Sequence, residues 1–365
     1  MVRDMPSIYQ VPMLLEQQGV IPLLKEILKL DQFALSSALV SKGHSIWAEW
    51  KTLTATENRF FETVTIVLVG KYVELHDSYL SVIKSLEHSA MRCKRKLDLQ
   101  WVDSEHLEPA TGTHDPAKFH KAWHAVCTAA GILVPGGFGQ RGTEGMIAAA
   151  KWARENRTPY LGICLGMQIA VIEFARNVCG IAGATSEEFG GSPSPSPSPS
   201  TNGSGSGSAA DSHVIMFMPE VDKASMGATM RLGLRPTLFQ PGSEWSRLRA
   251  LYADREQRGG GSGTILERHR HRYEVNPAFI ERLEKGGLSF VGKDDKGERM
   301  EIIELKDHSW FVGVQFHPEY LSRVLDPSRP YLGFVAASAG LLGKVTAEMK
   351  GERVVVNGVK AGVEV

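Results

Sequence analysis

The sequence predicts an α/β fold built on a mostly parallel sheet, and three observations lead there. From about residue 63, short apolar runs alternate with helix-like stretches, the pattern of βαβ units. Two of these runs end in glycine-flanked turns that open a helix, Pro135-Gly136-Gly137-Phe138-Gly139 and Gly162-Ile163-Cys164-Leu165-Gly166. A much later apolar run, Trp310 to Phe316, ends in His317-Pro318-Glu319. Turns at the carboxyl ends of strands are where open α/β sheets hold their ligands.

The elements follow in order. Residues 1–60 are helical in pattern, with 47–53 as an interdomain helix and linker. Strands are expected over 65–69, 97–102, 132–134 and 160–163, and helices over 77–91, 116–130, 143–156 and 165–177. The run 190–212, repeated Ser-Pro and then Gly-Ser, cannot bury a core and is expected to be a disordered insert. A second flexible tip is expected over 258–263. Later strands are expected over 214–218, 228–232, 289–293, 301–305 and 310–316, then a last helix over 330–349. The tail 350–365 receives no element.

The chain has 365 residues, room for about two domains. Hydrophobic residues make up 42% and charged residues 22%, an ordinary globular balance. The formal net charge is zero, so no electrostatic nucleic-acid footprint is expected. No apolar run approaches the ~20 residues that span a bilayer, and no signal-peptide pattern opens the chain, so no membrane partner is expected. Four cysteines, Cys93, Cys127, Cys164 and Cys179, show no C-x-x-C spacing. They are expected as free thiols in a reducing, cytoplasmic setting, without disulfide frame or zinc.

Cys164 is the candidate nucleophile. Gly162 and Gly166 remove side chains where a strand–turn–helix elbow is tight, and the helix N-terminus behind the sulfur favours thiolate. The other three cysteines fit apolar helix faces or a helix end and are expected in the core. The loop at Gly136 and Gly137 lacks Gly-Lys-Ser/Thr and so is not a nucleotide P-loop; its backbone N–H groups suit a developing oxyanion. His317, with Glu319 two residues on, suits a base and its orienter, and Pro318 holds His317 extended. In Arg268-His269-Arg270-His271-Arg272 the arginines share one strand face and the histidines the other. The histidine pair has no evident third ligand, and no metal site is expected.

Pro-Gly-Gly-Phe-Gly, Gly-Ile-Cys-Leu-Gly-Met-Gln and Phe-His-Pro-Glu, in that order, resemble the signature of class I (triad-type) glutamine amidotransferases. Val69-Gly70-Lys71-Tyr72-Val73-Glu74-Leu75, Met230-Arg231-Leu232-Gly233 and Glu267 to Asn276 are similar to the glutaminase half of the CTP synthase family. The resemblance covers roughly residues 5–345. It implies the three-layer amidotransferase fold over 61–349. Residues 1–60, from Ser7-Ile8-Tyr9-Gln10-Val11-Pro12 onward, resemble the end of the family's ligase domain; the rest of that domain is absent, which implies a fragment.

For the site, the resemblance implies a Cys164–His317–Glu319 triad, with Gly137 and Leu165 supplying oxyanion N–H groups. Substrate-binding positions would be Gly136, Phe138, Leu165, Gly166, Met167, Gln168, Glu188 and Arg272, with Glu188 taking the α-ammonium of L-glutamine. Arg141 would sit in a mobile lid. No cofactor is implied for this domain. ATP, Mg and UTP would belong to the ligase half, which receives the ammonia, and GTP would activate the complete enzyme. Tetramers or filaments would form mainly through the ligase half. The other readings are the glutaminase of another class I amidotransferase, as in GMP or anthranilate synthesis, and a non-catalytic regulatory or assembly module. The Arg-His-Arg-His-Arg-Tyr-Glu run argues against the first and the complete triad against the second.

Overall fold

The computed structural model describes residues 5, 7–56, 60–189, 212–219, 230–258 and 263–350. The expected insert, apart from Ser212, the tip at 259–262 and the tail beyond Lys350 lie outside these residues.

Twelve strands are present among the described residues: β1 (Thr63–Gly70), β2 (Lys96–Asp103), β3 (Gly131–Val134), β4 (Tyr160–Ile163), β5 (Thr185–Ser186), β6 (His213–Phe217), β7 (Arg231–Phe239), β8 (Thr264–His271), β9 (Tyr273–Val275), β10 (Leu288–Asp294), β11 (Met300–Leu305) and β12 (Phe311–Val314). The helices are α1 (Val11–Gln17), α2 (Val20–Ile27), α3 (Ser37–Thr56), α4 (Leu80–Arg92), α5 (Pro109–His114), α6 (Pro116–Thr128), α7 (Thr143–Glu155), α8 (Leu165–Asn177), α9 (Arg247–Arg258), α10 (Pro277–Lys285), α11 (Arg329–Ser338) and α12 (Leu342–Met349).

Nine strands form one sheet in the order β2-β1-β3-β4-β12-β11-β10-β7-β8, and β5-β6-β9 form a small second sheet. From β2 to β12 the pairing is parallel; from β12 to β8 it is antiparallel. Within the parallel half β1, β3, β4 and β12 are buried on both faces, as helix crossovers require, while the edge strand β2 is only partly covered. Alternate residues of β1 make this visible. Val67 and Val69 join a core with α7 and α8 residues such as Ala149 and Ile169, while Ile66 and Leu68 join a core with Leu86 of α4 and Phe334 of α11. Successive side chains of a strand point to opposite faces, so one apolar run feeds two cores.

Four expectations are corrected. The strand placed at 228–232 runs instead over Arg231–Phe239, where exposed Leu232 and Leu234 alternate with better-covered residues and blur the apolar signal. The helix placed at 330–349 is two, α11 and α12, broken at Gly340, whose φ of +69° no helix accommodates. Helices α9 and α10 were not foreseen. Among the cysteines, Cys93 is buried but Cys127 is exposed on α6, so the core reading fails there.

Candidate active site

Strands β3, β4 and β12 are immediate neighbours in the sheet and all run the same way. Their carboxyl ends therefore deliver the glycine loop, Cys164 and His317 to one place, although β12 follows β4 by about 150 residues. Parallel pairing does this without further instruction, because neighbouring ends share an edge.

Cys164 is the N-cap of α8, with φ 52° and ψ −100°. A side chain at positive φ is strained, and such strain persists where packing over-determines it. Here the glycines impose it. A methyl at Gly162 would meet the Gly166 carbonyl oxygen at 2.5 Å, and one at Gly166 would meet the Val134 carbonyl oxygen at 2.0 Å. Tyr160 Oη also donates to the Gly166 carbonyl at 2.8 Å, and Cys164 N–H to Val314 O at 2.7 Å. The elbow is locked to the strands on either side.

His317 Nδ1 lies 2.8 Å from Glu319 Oε1. Cys164 lines the same cleft as the ring. Burial pulls the imidazole down, but Glu319 and Cys164 outweigh it and hold it well above the usual imidazole range. The His317 N–H donates to Arg268 O of β8 at 2.7 Å, fixing the backbone beneath the ring. Tyr331 of α11 stands beside Glu319; burial first, then that carboxylate, keep it a phenol. Gln315 Nε2 approaches Cys164 Sγ at 3.6 Å, and its Oε1 accepts from Gln168 Nε2 at 3.2 Å.

The glycine loop faces the triad. A methyl on Gly137 would touch the Leu165 side chain at 3.3 Å, so the two expected oxyanion positions are adjacent. Leu165 is the first residue of α8, and its N–H has no carbonyl within the helix to meet. Buried Lys71 donates from Nζ to Phe138 O at 3.1 Å and to Gly139 O, tying the loop from below. Burial lowers Lys71 to about 8. Arg141 bonds to Lys71 O and faces Asp103 and Glu105 at 3.7 and 3.6 Å.

A cleft of about 390 Å³ opens over Cys164, His317 and Glu319, lined also by Tyr79, Gly136, Phe138 and Arg270. Gly136, Gly137 and Phe138 thus border Cys164 and His317. Met167 is fully buried and packs toward β12, where a methyl on Gly313 would stand 3.0 Å from its Cγ. Gly166 is a packing position against β3, and Gln168 is bonded to Gln315 and to Tyr273 O at 3.2 Å. Glu188 does not line this cleft but bonds to the glycine loop: its Oε1 accepts from Gly139 N–H at 2.8 Å. Burial raises the Glu188 carboxyl, and Lys71 and Arg272 oppose that rise. Glu188 and Arg272 therefore share one electrostatic neighbourhood.

Along β8 the histidines are buried and the arginines exposed, as the alternation predicts. The expectation that His269 and His271 lack a third potential ligand is corrected. Glu301 of β11, 30 residues away, stands with them, and one donor atom from each lies within 4.8 Å of the others. The three are wired inward: His269 Nδ1 to His271 Nε2 at 3.2 Å, His271 Nδ1 to Tyr273 O at 2.9 Å, and Arg231 to Glu301 at 3.1 Å. Burial lowers His269 to about 2 and His271 to about 3, and raises Glu301 to about 8. Lys71, Tyr331, Gln315 and Glu301 carried no role in the sequence reading. Only Lys71 had a signal, as part of the Gly70-Lys71-Tyr72 resemblance.

The profile of the family described as "Glutamine amidotransferase class-I" matches residues 74–337. The chain belongs to the class I glutamine amidotransferases. Within this family it matches the glutaminase domain of CTP synthases. It is 62% identical over 357 residues to CTP synthase of Neurospora crassa, covering 98% of this chain and 57% of the relative. It is 52% identical over 344 residues to CTP synthase 1 of Saccharomyces cerevisiae, covering 94% and 56%. The chain thus spans a little over half the length of these amidotransferases. A solved structure, the glutaminase domain of Trypanosoma brucei CTPS with bound acivicin, aligns with a TM-score of 0.62 at 38% identity, over 76% of this chain and 94% of that one. No helix among the described residues is long and apolar enough to cross a membrane.

Proposed function

We propose that this domain hydrolyses the side-chain amide of L-glutamine through Cys164, His317 and Glu319. The observation that carries the reading is His317 itself, held by Glu319 at 2.8 Å on one nitrogen and lining one cleft with the strained Cys164. Cys164 passes its proton to His317 and attacks the amide carbon. The oxyanion that forms is met by the N–H groups of Gly137 and Leu165. Collapse breaks the C–N bond, His317 returns the proton to the leaving nitrogen, and ammonia departs from a γ-glutamyl thioester. Water, deprotonated by His317, then cleaves the thioester to glutamate and restores the thiol. Glu319 orients the ring and stabilises the imidazolium. Glu188 takes the α-ammonium of glutamine and Arg272 its α-carboxylate. A desolvated carboxylate gains from such a cation, which fits Glu188.

Residues 61–349 form the amidotransferase unit and residues 1–60 the end of a ligase half with its linker. In a complete protein the ammonia would pass to that half, where ATP and Mg would activate UTP for amination to CTP and GTP would stimulate glutamine use. This places the protein in cytoplasmic pyrimidine nucleotide synthesis, with tetramers or filaments built chiefly by the ligase half. The sites for ATP, Mg and UTP would come from the part of the relatives that this chain does not span.

The test is mass spectrometry after incubation with 6-diazo-5-oxo-norleucine, a glutamine analogue that alkylates the nucleophile. A single adduct on Cys164, blocked by glutamine and absent in His317→Ala, is expected. A folded chain without an adduct on Cys164 overturns the reading.

A further inference from the structure

Glu319 lies in a short 3-10 turn, Pro318–Leu321, rather than in a long element, so something else must hold it. Helix α4 does. Ser85 Oγ, which donates to Ser81 O at 2.9 Å, also lies 3.3 Å from the Glu319 carbonyl oxygen, and the Ser322 N–H donates to that oxygen at 3.3 Å. One turn on, His88 Nδ1 lies 3.0 Å from Ser322 Oγ, which also accepts from the Ser328 N–H at 3.3 Å. A hydroxyl that accepts from a backbone amide has its own hydrogen free to donate to an imidazole lone pair. Burial pushes His88 down to about 4, so the ring is the neutral acceptor this bond needs. Ser85, His88 and Ser322 are all buried.

The other side of His88 meets the N-terminal helical segment. The Tyr9 ring packs edge-on to His88 with centroids 5.7 Å apart, and Tyr9 Oη donates to Glu87 at 3.1 Å. Trp50 of α3 donates to the Tyr9 carbonyl at 3.0 Å. A continuous set of contacts therefore joins α3, through Tyr9, His88 and Ser322, to the turn that carries the orienting carboxylate.

We propose that His88 is a positioning residue for the general base: through Ser322 it fixes Glu319 against His317, and through Tyr9 it makes that alignment depend on docking of the N-terminal helices. This inference rests on the triad reading above. A buried partner two hydrogen bonds from Glu319 acts by orientation, so its loss slows the chemical step and leaves binding alone.

The test measures alkylation of Cys164 by 6-diazo-5-oxo-norleucine in the whole chain, separating the maximal rate from the half-saturating concentration. His88→Ala is expected to lower the maximal rate about tenfold, within the range for coupled neighbours, with half-saturation unchanged. Ser322→Ala, which removes one oxygen and keeps the ring, is expected to do the same. His88→Asn, whose amide occupies the place of Nδ1, restores the rate to within about twofold. Tyr9→Ala lowers the rate in the same direction. In a Glu319→Ala background, His88→Ala has no further effect. Wild-type rates in folded His88→Ala and Ser322→Ala overturn the inference, and so do losses that multiply with that of Glu319→Ala. If wild type itself gives no Cys164 adduct, the triad reading falls and this inference with it; normal wild-type labelling with unaffected variants removes this inference alone.

Discussion

Gly136 faces the His317 imidazole so closely that a methyl group on its Cα would stand 2.8 Å from Cε1, 3.6 Å from Nε2 and 3.6 Å from Cys164 Cβ. The loop and the base are fitted to each other at the width of a glycine. Gly136→Ala should therefore push the ring away from the thiol while the fold stays intact. A misplacement of about 1 Å costs about 10²-fold in rate. Glutaminase turnover should fall by that order with little change in Tm.

Gly166→Ala should behave in the opposite way. Its added methyl would lie 2.0 Å from the Val134 carbonyl oxygen, which is backbone of the central sheet and cannot step aside. The cost falls on folding, at about 3 kcal/mol or more, the range for severe overpacking. Thermal unfolding of the two alanine variants side by side separates a shape requirement of the site from one of the fold.

The triad members should be unequal. Cys164→Ala should abolish glutamine hydrolysis, and His317→Ala should slow it by about 10²–10⁴-fold, the usual value of a positioned acid–base group. Glu319→Gln should cost less, because it only orients and stabilises the ring. Steady-state rates of ammonia release give the order.

Glu188→Gln should act on binding. The neutral amide still accepts the Gly139 N–H, so the loop stays in place, but the charge that would meet an α-ammonium is gone. Truncating a desolvated charge pair costs about 2–5 kcal/mol, much of it in affinity. KM for glutamine should rise at least about tenfold with kcat largely kept. A fall in kcat at constant KM would show Glu188 to be a loop anchor alone.

Stability should follow pH through the buried histidines and Glu301. Burial lowers His88, His269 and His271 from an ordinary value of 6.5 to about 4, 2 and 3. Below 6.5 the unfolded chain holds protons that these folded rings refuse, so stability should rise with pH toward 6.5. Burial raises Glu301 from 4.5 to about 8, so between those values the folded chain keeps a proton that the unfolded chain has lost. That term falls with rising pH. Below 6.5 these rings, with His308 likewise lowered by burial, oppose Glu301 and Glu304, which burial raises; above it Glu301, together with His317, turns the curve downward. Glu301→Gln should flatten the decline between pH 6.5 and 8 in chemical denaturation.

Much of this site was legible in the chain before it folded. Strand-to-turn transitions at Gly136, Cys164 and His317 are local patterns, and periodicity together with glycine placement reads them directly. The boundaries of β4 and α8 came out as expected, Tyr160–Ile163 and Leu165–Asn177, because a nucleophile elbow leaves no slack between strand and helix. The sequence by itself also determined the alternation of β8, burying His269 and His271 and exposing Arg268 and Arg270, since the period of a strand is set by its backbone.

Only the tertiary structure decided what those residues meet. That β12 lies beside β4, and not elsewhere in the sheet, follows from long-range pairing that no local period encodes. Glu301 joins the histidine pair from β11, Lys71 ties the glycine loop from the end of β1, and His88 braces the Glu319 turn across 234 residues of chain. Each is a convergence of side chains from elements far apart in sequence. Local propensity says which way a side chain points; the packing of the layers says what stands opposite.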